Sequence, residues 1–209
     1  MIADIKKNLE GDLEKISPLD GRIKEMTNLM SIIASGALSL FKKEIKEQNN
    51  LTILEIEEVV IQAVPYLGYS KAFEFFAILD TSSYVPIKDS EERLKEGIDL
   101  QVEIFGENMK DFYKSGDEYS RNINYLLAKN CFGDYYSRGY LSVKERELLT
   151  FVALLNLGTI PQLKAHIKGN FNVGNDKALL LKVILNNVFY VGYPRSLNAI
   201  NALKEVVGE

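Results

Sequence analysis

The sequence predicts an all-α chain. Three observations carry that reading: apolar residues recur at spacings of three and four, prolines are few, and no convincing stretch alternates apolar with polar residues as a strand would. Five prolines, Pro18, Pro65, Pro86, Pro161 and Pro194, are spread over 209 residues. Ile53, Ile56, Val60 and Val64 share one helical face, and Thr52 with Glu55 has the spacing of a capping box, in which each side chain satisfies a free N–H of the other's residue. Asp89 and Glu92 repeat that pattern ahead of Leu94, Ile98 and Val102, and Gly106 is placed to end the helix. Tyr119, Ile123, Leu126 and Leu127 form a further amphipathic run.

An internal repeat underlies the order of elements. FKKEIK (Phe41 to Lys46) aligns with LKAHIK (Leu163 to Lys168) at a shift of 122, which also sets Gly36 on Gly158 and Glu25 on Glu147. YLGY (Tyr66 to Tyr69) aligns with YVGY (Tyr190 to Tyr193) at a shift of 124. The extra two residues fall around Gly169 to Gly174. A period this long means a duplicated domain, since solenoid repeats are shorter. In each copy Gly68 or Gly192 closes one helix, and Ser70 (as a cap) or Pro194 (in the first turn) opens the next. Three segments are expected: a first copy over 1–79, a helical connector over 80–140 and a second copy over 141–209.

Composition excludes several functions. A net charge of −4 with no basic stripe argues against nucleic-acid binding. The longest apolar stretch, Met30 to Phe41, is too short for a membrane span, which needs roughly twenty residues. The acidic N-terminal residues do not read as a signal peptide, and the single cysteine, Cys131, fits a cytoplasmic home. A lone histidine without a cysteine or carboxylate cluster gives no zinc set, and GNFNVG (Gly169 to Gly174) lacks the Lys-Ser/Thr ending of a phosphate loop. No metal or cofactor is expected.

The second copy carries a familiar series. Phe132-Gly133 is followed by Arg138, by Gly139 with Leu141, and by Glu147-Leu-Leu-Thr150. A long apolar helix leads to His166 with Gly169 three residues on, then to the Tyr190 to Pro194 turn. This series resembles the carboxymuconolactone decarboxylase family, in its two-copy form. The resemblance implies the alkylhydroperoxidase D-type helical bundle. It also implies assembly into rings, commonly of six copies, so that a duplicated chain forms a trimer.

The peroxidase branch of that fold uses a Glu, a Cys-x-x-Cys and a His. Glu147 and His166 keep the outer spacing of nineteen residues, but Thr159 and Gln162 stand where the cysteines would be. Without a thiolate and a resolving thiol the peroxidase reaction has no chemistry to run on. A carboxylate and an imidazole remain. Histidine titrates near neutrality and exchanges protons at working pH. The pair suits decarboxylation or isomerisation of a small anionic lactone or carboxylic acid, in which a carbanion or dienolate is reprotonated.

Arg138 is the expected carboxylate clamp and Tyr190 a second substrate contact. Arg138 also has a plainer reading, as an ion pair with Glu145 or Asp134. In the first copy Glu44 stands in place of His166, with Ala37 and Leu40 at the cysteine positions, so that copy reads as scaffold. Two alternatives stay open: a peroxide-linked role with an external thiol partner, and a non-catalytic oligomeric scaffold or ligand-binding module.

Overall fold

In the computed structural model, residues 1–79 and 88–208 are described. Residues 80–87, which include Pro86 and the opening of the expected connector, lie outside them. The described residues form α-helices α1 (Ile2–Ile16), α2 (Gly21–Ser35), α3 (Leu38–Glu44), α4 (Ile53–Leu67), α5 (Tyr69–Phe76), α6 (Ser90–Phe105) and α7 (Arg121–Leu126). A π-helical segment (Leu127–Tyr136) continues α7, and α8 (Val143–Leu157), α9 (Ile160–Asn172), α10 (Lys177–Val191) and α11 (Tyr193–Val207) complete the chain. No strand occurs among the described residues, and no helix among them is long and apolar enough to cross a membrane.

The helix limits follow local chemistry. Thr52 and Ser142 each complete a capping box, with Glu55 and Glu145, at the starts of α4 and α8. Asp89 caps α6 by accepting from the N–H groups of Glu91 and Glu92. The bounds of α2 and α8 lie 122 residues apart, and those of α4 and α10 lie 124 apart. Gly36 and Gly158 end α2 and α8 in the left-handed conformation, at φ 76° and 73°. Ser70 does not cap α5. Gly68 turns the chain at φ 85° and Tyr69 starts the helix at once, so Ser70 lies inside the first turn.

Two helices form the centre. On α2, Met26, Leu29, Met30, Ile32 and Ile33 are fully buried, and on α8 so are Leu149, Phe151, Val152 and Ala153. Each large apolar side chain buried this way contributes about 1.5–3 kcal/mol. Inside this core Asn187 Oδ1 accepts from the Ser31 hydroxyl at 2.7 Å, and Asn156 donates to Ser31 at 3.0 Å. These bonds join α2, α8 and α10 at one buried point.

The connector packs differently from the sequence expectation. On the Tyr119–Leu127 run, Tyr119, Ile123 and Leu126 are exposed. At Leu127 the chain enters π geometry, which aligns Ala128, Phe132 and Tyr136, all buried, along one face. Gly97 of α6 and Gly133 make this crossing possible. A Cβ on Gly97 would fall 1.8 Å from the Ala128 carbonyl oxygen, and one on Gly133 2.2 Å from the Arg93 carbonyl oxygen. The glycine of the Phe132-Gly133 pair is therefore a contact point between two backbones.

Arg22 of α2 ties the two capping boxes together, reaching Glu55 at 2.7 Å and Glu145 at 2.9 Å. Burial works against the charge of Glu55, but bonds from Arg22 and Thr52 outweigh it and hold this carboxyl below its ordinary value. Glu145 follows the same pattern, with Ser142 and Arg22 outweighing burial. Carboxyls depressed on folding stabilise the fold at pH values above their unfolded range, and that stability is lost as pH falls through the folded values. Arg22→Ala should therefore flatten the acid side of stability against pH between about 5 and 3, read from urea midpoints at each pH.

Candidate active site

Glu147 and His166 meet. His166 Nδ1 lies 2.9 Å from Glu147 Oε2 and 3.2 Å from Oε1. The glutamate side chain is wholly buried and the histidine is 12% exposed. The nineteen-residue spacing brings this about by crossing from the first turns of α8 to the middle of α9.

Asn170, one turn beyond His166, locks the two helices. Its amide donates to the Glu147 carbonyl at 3.0 Å and to the His166 carbonyl at 2.7 Å. Asn175 in turn donates to Asn170 Oδ1 at 2.8 Å and to the Lys144 carbonyl at 2.9 Å.

Gly169 is the glycine that follows His166 by three, and its lack of a side chain is a steric requirement. A Cβ there would stand 2.7 Å from Glu147 Oε2 and 2.8 Å from Ile104 Cγ2. Gly169→Ala should push the carboxylate off the imidazole, costing about 1–3 kcal/mol of stability. Denaturant unfolding checks the stability, and a change in the His166 ring NMR signals checks the displacement.

Aromatic groups surround the imidazole. Its ring meets Phe105 of α6 edge-on with centroids 5.3 Å apart, and Tyr66 of α4 at 6.0 Å. The Tyr136 hydroxyl donates to Glu147 Oε1 at 2.7 Å, and it lies 3.0 Å from the Tyr66 hydroxyl. Burial, then the negative charge of Glu147, pushes the Tyr136 phenol well above its ordinary value. Burial does the same to Tyr66, with Cys131 and Glu147 adding to it. Both phenols therefore keep their hydrogens. Burial also pushes the Cys131 thiol up to about 12, a Tyr66 hydrogen bond opposing it, so this cysteine stays a thiol at neutral pH.

Arg138 is not beside this pair. Its Nε donates to Glu58 Oε1 at 2.9 Å, and its NH2 reaches the same oxygen at 2.8 Å. The two partners read for it from the sequence are taken: Glu145 pairs with Arg22, and Asp134 with Arg93. Glu58 is shared with Arg146, whose NH2 lies 2.7 Å from Oε2, and both side chains are wholly buried. Arg138 also lines a cleft of about 600 Å³ with Val60, Val64, Phe73 and Phe76.

Tyr190 stands elsewhere, edge-on to Phe189 and with Lys6 Nζ 5.7 Å from its ring centroid. Lys6 pairs with Glu44 at 3.0 Å, so the residue standing in place of His166 in the first half is held by a cation. Glu25 meanwhile accepts from the N–H groups of Asn49 and Asn50. Its place in the first half matches that of Glu147, and its partners do not.

Sequence reasoning missed Tyr66 and Tyr136 as site residues, along with the buried polar groups behind them. One signal was present. Glu58, Gln62 and Tyr66 recur every four residues, which puts them on one stripe of this helix.

Residues 124–205 match the carboxymuconolactone decarboxylase family, a span that holds Tyr136, Glu147, Thr150 and His166 but not Tyr66. A 4-carboxymuconolactone decarboxylase of Acinetobacter baylyi (strain ATCC 33305 / BD413 / ADP1) is 29% identical over 119 residues, covering 56% of this chain and 89% of that protein. Over residues 124–205 the chain is similar to the carboxymuconolactone decarboxylase family.

Proposed function

We propose that this protein is a decarboxylase of the carboxymuconolactone type, with Glu147 and His166 as its proton-transfer pair. The observation that carries the reading is the 2.9 Å contact between a wholly buried carboxylate and the one imidazole of the chain. In such a reaction the bond between a substrate carbon and its carboxylate breaks, CO2 leaves, and the electron pair passes into the unsaturated lactone. Protonated His166 then returns a proton to the dienolate carbon and is reprotonated from solvent. Glu147 stabilises the charged imidazole and fixes its ring.

4-Carboxymuconolactone is the first substrate to try, since the relative is named for it. The expected result is loss of the lactone with release of one CO2 per molecule. No turnover of this or related carboxylated lactones would reject the reading.

Arg138 has no direct part in this reading, because it is held by Glu58 and the cleft it lines does not include Glu147 or His166 in its wall. Tyr190 has no part in it, because it packs on Lys6. The matched helix limits support two copies of one unit. Exposed Tyr69 and Phe73 on α5, with Tyr193 and Leu197 at the corresponding places on α11, support assembly of chains through these faces. Sedimentation velocity reads the assembly directly.

A further inference from the structure

A continuous buried chain of hydrogen bonds leads away from Glu147, and its direction can be read from donor chemistry. Arg146 only donates, and its NH1 lies 3.0 Å from Gln62 Oε1. That contact fixes the Gln62 amide, so its Nε2 faces Thr150 Oγ1 at 3.2 Å and donates to it. Having accepted there, the Thr150 hydroxyl turns its own hydrogen toward the Tyr136 oxygen, 2.5 Å away. Tyr136 passes its hydrogen to Glu147 Oε1 at 2.7 Å. The single Tyr136 hydrogen goes to Glu147, so Thr150 donates at their contact, and the order runs one way, from Arg146 to Glu147.

We infer that Arg146, acting through Gln62, Thr150 and Tyr136, fixes the tautomer of His166. The ionised Glu147 carboxylate only accepts, and the Tyr136 O–H on Oε1 holds it turned with Oε2 against Nδ1, 2.9 Å away. The imidazole hydrogen then stays on Nδ1, and Nε2 carries the free lone pair that takes the proton for delivery. Gln62, Thr150 and Tyr136 are positioning residues, since none of them is placed to touch substrate. Gln62 lies outside the family match, so the first half of the chain sets the chemistry of the second. The catalytic meaning of this inference rests on the proposed decarboxylase reading, whereas the tautomer does not.

The chain holds one histidine, so ¹⁵N-histidine labelling gives one pair of ring nitrogen signals. The wild-type neutral imidazole should show the Nδ1–H form. Gln62→Glu reverses the chain, because the new carboxylate accepts from both Arg146 and Thr150, and Tyr136 then loses the partner that orients it. In this variant, and in Tyr136→Phe, the Nε2–H form should gain about tenfold relative to Nδ1–H, the weight of one hydrogen bond to a charged group. Thr150→Val should do the same, and Thr150→Ser, which keeps the hydroxyl, should restore the wild-type ratio.

A wild-type ratio in Gln62→Glu, Tyr136→Phe and Thr150→Val would overturn the inference. So would equal shifts in Thr150→Val and Thr150→Ser, which would mean packing alone. If the lactone is turned over, these variants should lower kcat by about tenfold with KM little changed. Absence of turnover in the wild type would count against the decarboxylase reading and leave the tautomer result to decide this one.

Discussion

His166→Ala should lower kcat/KM on 4-carboxymuconolactone by about 10²–10⁴-fold, the usual share of a general acid or base. The side chain is partly buried between Phe105 and Tyr66, so a small loss of stability should accompany it. A circular dichroism melt separates the two effects. Glu147→Gln should fall in the same range for a different reason. It removes the charge that steadies the imidazolium and faces Nδ1–H with an amide that also donates. Steady-state kinetics on both variants, with the melt as control, checks the pair. Loss of activity in one variant only would break the assignment of paired roles.

Glu58→Ala should be strongly destabilising, at about 3–5 kcal/mol. Glu58 is wholly buried and is shared by two guanidinium groups, one of them the equally buried Arg146. Removing the carboxylate leaves a buried positive charge whose other NH2 partners are the carbonyls of Arg138 and Gly139. Burial already works against the Arg146 charge, holding its guanidinium below the ordinary value even with Glu58 in place. Urea unfolding of Glu58→Ala against wild type measures the cost. A change under about 1 kcal/mol would mean that water reaches the site.

Much of the fold was legible because helix signals are local. Thr52 with Glu55, Asp89 ahead of Glu92, and the glycines at 36, 68, 158 and 192 act within one turn of chain. The spacing of Glu147 and His166 was legible for a related reason: two helices joined at one glycine bring fixed positions together. Partners that lie far apart in the chain were not legible. Arg138 finds Glu58 eighty residues away, and nothing near either residue specifies the other. Tyr136 reaches Glu147 because the segment before it is π-helical, a winding that the amphipathic pattern of Tyr119 to Leu127 does not encode. Tyr190 and Tyr66 align when YVGY is set over YLGY. Only Tyr66 meets the imidazole, while Tyr190 packs on Lys6.

Single turnover of 4-carboxymuconolactone in D₂O, followed for CO2 release and for deuterium in the product, is the most direct trial of Glu147 and His166 as a proton-transfer pair. With wild-type protein, CO2 release should be accompanied by one carbon-bound deuterium on the lactone ring, at the dienolate carbon that takes the proton, and His166→Ala should slow both together. Undiminished CO2 release by His166→Ala, or none by the wild type, would contradict the assignment.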